Sequence, residues 1–146
     1  MDESLKIRRE EAARILRLKG IRPITHRVAV YEYLRSNPIH PSAETIFLNL
    51  SGTLPSLSRT TVFNVLKLLC ENGIVRRITV ENDRSLYDAN TCDHVHFKCT
   101  ICGNVHDIFP SKFPEVELPR GFVAAETQMN VWGCCSDCTN TLAVSR

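Results

Sequence analysis

The stretch Ser58-Arg59-Thr60-Thr61-Val62-Phe63-Asn64-Val65-Leu66-Lys67-Leu68-Leu69-Cys70-Glu71-Asn72-Gly73-Ile74-Val75 decides the fold. Val62, Val65, Leu66 and Leu69 recur at helical spacing, which predicts a helix over 59–72 with one apolar face. Ser58 is a natural N-cap and Gly73 a natural stop. The other face carries Arg59, Thr60, Phe63, Asn64 and Lys67 and is mostly polar. Directly after Gly73 come two β-rich pieces, 74–80 and 85–87, joined through Glu81-Asn82-Asp83, a hairpin pattern.

Upstream, three more helices are expected. Residues 4–19 begin at Ser4 as cap and stop at Gly20. Residues 25–37 open at Thr25 and end before Pro38, with Val28, Tyr31 and Leu34 inward. A shorter helix starts at Ser42 and carries Ile46, Phe47 and Leu50, until Gly52 and Pro55 break the chain. Helices followed by a hairpin describe a winged helix-turn-helix, whose last helix enters the DNA major groove. Ser58, Arg59, Thr60, Thr61, Phe63, Asn64 and Lys67 are the residues that would meet bases and phosphates. The plain alternative for such a run is a solvated helix face.

Downstream of a linker at 89–93 the chemistry changes. Short strands are expected at 95–99, 104–109, 121–126 and 128–133, then a terminal helix over 136–144. Cys99 and Cys102 form one Cys-x-x-Cys pair, and Cys135 and Cys138 another. Two such pairs make a closed tetrahedral zinc site, because each two-residue turn aims two sulfurs at one point. The rival reading is a pair of redox dithiols. Cys134 competes with Cys135, but only Cys135 has the two-residue spacing to Cys138. Cys70 reads as core, and the role of Cys92 in the linker stays open.

Beside the sulfurs lies a nitrogen and oxygen set. His94 and His96 alternate, so on a strand both point to one face. Neutral imidazole with carboxylate suits an exchangeable iron, manganese, zinc or nickel ion. Asp88 and Asp107 are close enough in sequence to join, and His40, just before Pro41, is a further candidate. His26 and His106 read as surface residues.

Composition bounds these readings. The chain has 146 residues, 43% hydrophobic and 23% charged, which is globular rather than disordered. Residues 1–90 hold 14 Lys/Arg against 10 Asp/Glu, whereas residues 91–146 hold 4 against 6. The basic part suits a polyanion and the acidic part a cation. No apolar run is long enough to span a bilayer, and the acidic start Met1-Asp2-Glu3 is unlike a signal peptide. A cytoplasmic protein is expected, and seven cysteines there read as metal ligands or redox groups.

Taken together, these residues resemble the ferric uptake regulator family of dimeric bacterial metalloregulators. The matching pieces are Ile39-His40-Pro41-Ser42-Ala43-Glu44, Leu57-Ser58-x-x-Thr61-Val62-Phe63-Asn64-x-Leu66, Asn72-Gly73-Ile74-Val75, Tyr87-Asp88, Asp93-His94-x-His96-x-x-Cys99-x-x-Cys102-Gly103 and Cys135-x-x-Cys138. They run through nearly the whole chain in the family's order. Asp107, where iron-sensing relatives usually carry Glu, and Asn64, where they often carry Arg, resemble the peroxide-sensing branch.

The resemblance implies an α+β protein: a winged-helix DNA-binding domain over 1–88, a hinge at about 88–93, and a small α/β dimerisation domain over 89–146. It implies structural Zn²⁺ on Cys99, Cys102, Cys135 and Cys138. It also implies regulatory Fe²⁺ or Mn²⁺ on His40, Asp88, His94, His96 and Asp107, with ligands from both domains. The function implied is a repressor that binds a palindromic double-stranded operator as a homodimer, with no membrane role. Peroxide would act at bound Fe²⁺ by oxidising His40 or His94. Three departures stand out: Phe63 replaces the usual tyrosine, segment 109–119 is Pro-rich and short, and Cys92 and Cys134 are extra thiols. An iron- or zinc-responsive regulator is the near alternative. A metal-dependent hydrolase is the distant one, disfavoured because five protein ligands leave little room for substrate. No enzymatic activity is expected.

Overall fold

The computed structural model describes residues 2–144, so the expected domain bounds at Met1 and Arg146 lie outside the described residues. The chain forms two compact units, Met1–Thr91 and Cys92–Arg146. The class is α+β, a winged helix-turn-helix followed by a small α/β unit.

The first unit contains α1 (Glu3–Leu18), α2 (Thr25–Ser36), α3 (Ala43–Ser51), α4 (Arg59–Glu71) and the hairpin β1 (Arg76–Ile78) and β2 (Leu86–Asp88). Its core follows the helical period. Ala12 and Leu16 of α1, Ala29, Val30 and Leu34 of α2, Ile46 and Leu50 of α3, and Val62, Val65, Leu66 and Leu69 of α4 are all buried. Each fully buried aliphatic side chain contributes about 1.5–3 kcal/mol. Gly73, at φ 68°, ends α4: its N–H donates to Cys70 O at 3.0 Å and the Ile74 N–H to Leu69 O at 3.2 Å. That double closure needs a left-handed residue, which only glycine adopts without strain.

Two expected caps are displaced. Asp2, not Ser4, caps α1 by accepting from the Ser4 N–H at 3.3 Å. Thr25 is the first residue of α2 rather than its cap, because the Val28 N–H donates to Ile24 O at 3.0 Å and extends the turn back by one residue. Ser42 and Ser58 do cap α3 and α4, each accepting from the N–H three residues on, Thr45 at 3.2 Å and Thr61 at 3.0 Å.

The first hairpin strand is shorter than expected, and the second has the expected length but lies one residue further on. Arg76 faces Asp88, Arg77 faces Tyr87 and Ile78 faces Leu86. Ser42 bridges Leu86 in antiparallel sense, and the Tyr87 N–H donates to Pro41 O at 3.1 Å. The chain leading into α3 thus lines the outer edge of β2.

The second unit contains β3 (Val95–Cys99), β4 (Val105–Ile108), β5 (Met129–Gly133) and α5 (Ser136–Val144). β3 is central, antiparallel to β4 and parallel to β5. The strand expected at 121–126 does not form. Gly121 turns the chain at φ 86°, Ala124-Ala125-Glu126 have weak strand preference, and no sheet edge receives them. Segment 109–119 also lacks helix and strand; Pro110, Pro114 and Pro119 offer no N–H to either. Among the described residues no helix is long and apolar enough to cross a membrane.

Candidate metal centres and nucleic-acid interface

The sulfur site is built by the sheet register. Cys99 ends β3 opposite Gly133, the last residue of β5. The Thr100 N–H donates to Gly133 O at 2.8 Å, which ties the first Cys-x-x-Cys turn to the chain about to deliver the second. The Gly103 N–H closes the turn on Cys99 O at 3.0 Å, and Gly103, at φ 79°, reverses the chain so that Asn104 O accepts the Cys99 N–H at 2.9 Å. Cys138 lies one helical turn past Cys135, at the start of α5.

The sulfurs of Cys99, Cys102, Cys135 and Cys138 lie within 4.8 Å of one another, and Cys102 Sγ is 3.9 Å from Cys135 Sγ. That is too long for a disulfide. It matches the edge of about 3.8 Å in a tetrahedron built on 2.3 Å zinc–sulfur bonds. The N–H groups of Cys102 and then Cys135 aim at Cys99 and hold its thiol down to about 5. The Cys138 thiol is raised, first by its hydrogen bond with Cys135. One thiolate forms readily and the next resists, a conflict that a divalent cation resolves. The donors therefore fit zinc. Cys134 stands outside the cluster and accepts from the Thr139 hydroxyl at 3.4 Å. Cys70 packs half-buried against the core, and Cys92 is exposed.

The nitrogen and oxygen donors fall into one set in each unit. In the first unit, His40 Nε2 lies 3.5 Å from Asp88 Oδ2, and both residues are buried. Asp88 Oδ1 accepts the Asn90 N–H at 2.7 Å, which orients the carboxylate. His40 is the one non-glycine residue with positive φ, 53°, among the described residues.

In the second unit, His96 on β3 stands directly opposite Asp107 on β4. His94, just before β3, turns to the same side, so Asp107 Oδ1 is 3.3 Å from His94 Nε2 and 3.7 Å from His96 Nε2. The His94 Nδ1 donates to the Cys92 carbonyl at 2.7 Å. In a neutral ring this bond leaves the Nε2 lone pair facing a carboxylate oxygen. Two acceptors in that arrangement repel unless a proton or a metal ion sits between them. The Phe109 ring covers His94 at 5.3 Å between centroids. The Cys92 carbonyl and the Phe109 ring carry no sequence signature and were not expected here. His106 is exposed; His26 is half-buried and hydrogen-bonds Ser56 at 3.0 Å.

On α4, Thr60, Phe63, Asn64 and Lys67 form an exposed stripe at i, i+3, i+4 and i+7. Phe63 is 57% exposed, unusual for a phenyl ring with no solvent role. Beside the stripe runs a cleft lined by Ile24, His26, Arg27, Asn64, Lys67 and Glu71. Ser58 and Thr61 are engaged with each other at 2.8 Å as the helix cap. Arg59 is engaged with Glu44 on α3. Glu44 as its partner was not expected from sequence, since nothing local links two residues on different helices.

A sequence model described as the Ferric uptake regulator family matches residues 18–132. The chain is 33% identical over 134 residues to a protein of Bacillus subtilis (strain 168) named "Peroxide operon regulator", covering 89% of this chain and 92% of that one. Among solved structures, it is similar to PerR from Streptococcus pyogenes, described in connection with peroxide sensing and gene regulation. That similarity has 28% identity, a TM-score of 0.51, and coverage of 89% of this chain and 92% of the other. The ferric uptake regulator Fur of Helicobacter pylori shares the fold, with a TM-score of 0.65, 19% identity, and coverage of 95% and 97%.

Proposed function

The chain belongs to the ferric uptake regulator family, and we propose that within it this protein is a peroxide-responsive, DNA-binding repressor. It is a metal-dependent transcription regulator, and members of this family are not enzymes. The observation that carries the finer reading is Asp107 facing the Nε2 atoms of both His94 and His96 at 3.3 and 3.7 Å. That constellation calls for a cation, and its donors are nitrogen and carboxylate oxygen, which suit Fe²⁺ or Mn²⁺. Relatives named for peroxide response at 33% identity support the same branch.

In this reading the first unit binds DNA, while the second holds structural zinc on Cys99, Cys102, Cys135 and Cys138 and dimerises. Neither nitrogen and oxygen set alone fills an octahedral shell, so one regulatory ion takes His40 and Asp88 from the first unit and His94, His96 and Asp107 from the second. An ion that needs both sets favours the arrangement in which both are available, and so shifts the population of DNA-competent molecules. A shift from 1:99 to 99:1 requires about 5.5 kcal/mol of differential binding.

When bound, Fe²⁺ would supply the redox chemistry that activates hydrogen peroxide, which Mn²⁺ does poorly. His40 or His94 would give up two electrons and take one peroxide oxygen on its ring carbon, the other oxygen leaving as water. An oxidised imidazole would be a poorer ligand, and its loss would release the ion and end repression. The exposed apolar side chains Ile108, Phe109, Val131, Trp132 and Leu142 of the second unit support a homodimer. Two recognition helices about 34 Å apart would suit a palindromic operator. A cytoplasmic location follows from a DNA partner.

The test is operator binding by purified protein loaded with Fe²⁺ or with Mn²⁺, before and after a low dose of hydrogen peroxide. Mass spectrometry of the same samples reads oxygen addition. Binding lost only with iron, with +16 Da on His40 or His94 (one added oxygen), is the expected result. Retained binding and unmodified histidines would assign the protein to sensing metal level, with iron and zinc as the candidates.

A further inference from the structure

One ion pair in the first unit is built more firmly than a surface contact needs to be. Arg59 is the first residue of α4. Its Nε donates to Glu44 Oε2 at 2.8 Å and its Nη2 to Glu44 Oε1 at 2.7 Å, a bidentate fork. Its guanidinium carbon also lies 4.3 Å over the centre of the Phe47 ring. Glu44 and Phe47 are three residues apart and share one face of α3. The hydrogen bond from Arg59 holds the Glu44 carboxyl below its usual range, so the fork is charged at neutral pH.

An arginine meant for a DNA phosphate keeps its fork available. Here the Nε edge is committed to a carboxylate and the flat face to a ring. To present its Nε–Nη2 edge to a phosphate, Arg59 would break both hydrogen bonds and expose the Glu44 anion to the DNA; outside the fork only Nη1 and one Nη2 hydrogen are left to donate. The stripe Thr60, Phe63, Asn64 and Lys67 begins at the very next residue, so the first turn of α4 sets the angle at which the stripe meets a groove.

We propose that Arg59 is a positioning residue for DNA reading: its fork on Glu44 and its stack on Phe47 pin the first turn of α4 to α3 and so aim the exposed stripe. This rests on the DNA-binding reading above. Surface ion pairs stabilise a fold little. What this one fixes is a direction, which matters for base contacts and hardly at all for non-specific attraction.

The experiment uses the full chain loaded with Mn²⁺. The probe is a palindromic duplex enriched by the wild-type protein from a random pool, with a scrambled duplex as control. Affinity is measured across a salt series for Arg59→Ala, Arg59→Lys, Glu44→Gln and the Arg59→Ala/Glu44→Gln double variant, with thermal midpoints alongside. Arg59→Ala and Glu44→Gln should each weaken the selected duplex about fivefold, and the double variant no more than either alone. Scrambled-duplex affinity, salt slope and thermal midpoint should stay as in wild type. Arg59→Lys should not rescue, because an ammonium offers neither fork nor flat face. A salt slope shallower by about 0.9 in Arg59→Ala would make Arg59 a phosphate contact and overturn the proposal. So would tighter binding by Glu44→Gln, additive losses, or full rescue by Arg59→Lys. If the wild type enriches no duplex, the DNA-binding reading itself falls, and this proposal with it.

Discussion

The Tyr87 N–H donates to the Pro41 carbonyl at 3.1 Å, and this hydrogen bond brings the chain before α3 alongside β2, with His40 next to Asp88. To get there His40 adopts φ 53° immediately before a proline, a conformation that both its Cβ and the proline ring disfavour. Strain of this kind persists where function needs a side chain in one place. Without Fe²⁺ or Mn²⁺, His40→Gly should be more stable than His40→Ala by about 0.5–1 kcal/mol in urea unfolding, since only glycine relieves the backbone. Both variants should lose metal-dependent DNA binding. A glycine variant less stable than the alanine variant would remove the strain argument.

The two units should respond differently to loss of zinc. Nearly all buried apolar side chains lie in the first unit; in the second, Val95 and Cys99 are the only apolar ones buried among the described residues. A unit with so small a core depends on its cross-link. Strong chelation, or Cys138→Ser, should therefore disorder β3, β4 and β5 while α1 to α4 survive. Amide NMR spectra resolve this: collapse of signals from 95–133 with 5–71 dispersed is expected. Preserved dispersion in both regions would mean that the sulfurs are dispensable.

What was legible in the sequence tracks how local the signal is. The helices of the first unit could be read because Val62, Val65, Leu66 and Leu69 carry the period on their own. The His94/His96 pair and the cysteine turns were legible for the same reason. The strand expected at 121–126 failed because a strand needs a neighbouring edge, which no window of sequence contains. The positive φ of His40, the Glu44 fork on Arg59 and the Cys92 carbonyl on His94 come from residues brought together by folding. Pairing of His96 with Asp107 sits between these cases: alternation and nearness in sequence suggest the two together, and the β3–β4 register is what sets them directly opposite.

Asp107 should be sensitive to length rather than charge. Its Oδ1 is shared by two imidazoles at 3.3 and 3.7 Å. An added methylene in Asp107→Glu displaces the carboxylate and changes how the ion is held, with the charge kept. The Mn²⁺-loaded variant should bind DNA near wild-type strength, whereas peroxide-driven release of the Fe²⁺ form should slow about tenfold or more. Stopped-flow release from a labelled duplex measures this. An unchanged rate would take away the main residue-level support for the peroxide branch.

The exposed stripe of α4 makes a prediction that separates attraction from reading. Lys67 is exposed and 3.9 Å from Glu71, too loosely held to be structural. Lys67→Ala should weaken binding to selected and scrambled duplexes alike and make the salt slope shallower by about 0.9, the signature of one phosphate. Asn64 carries an amide that can meet an adenine edge through two hydrogen bonds. Asn64→Ala should leave the salt slope intact and lower discrimination by about 1–3 kcal/mol at one base pair. Phe63, exposed on the same stripe, offers only apolar contact, such as a thymine methyl group. Phe63→Ala should cost no more than about 1 kcal/mol of fold stability, because more than half of the residue is exposed, and yet weaken the selected duplex. The three variants thus carry three different signatures. If all three change only the salt slope, α4 lies along the backbone rather than in the groove, and the winged-helix reading of this surface must be redrawn.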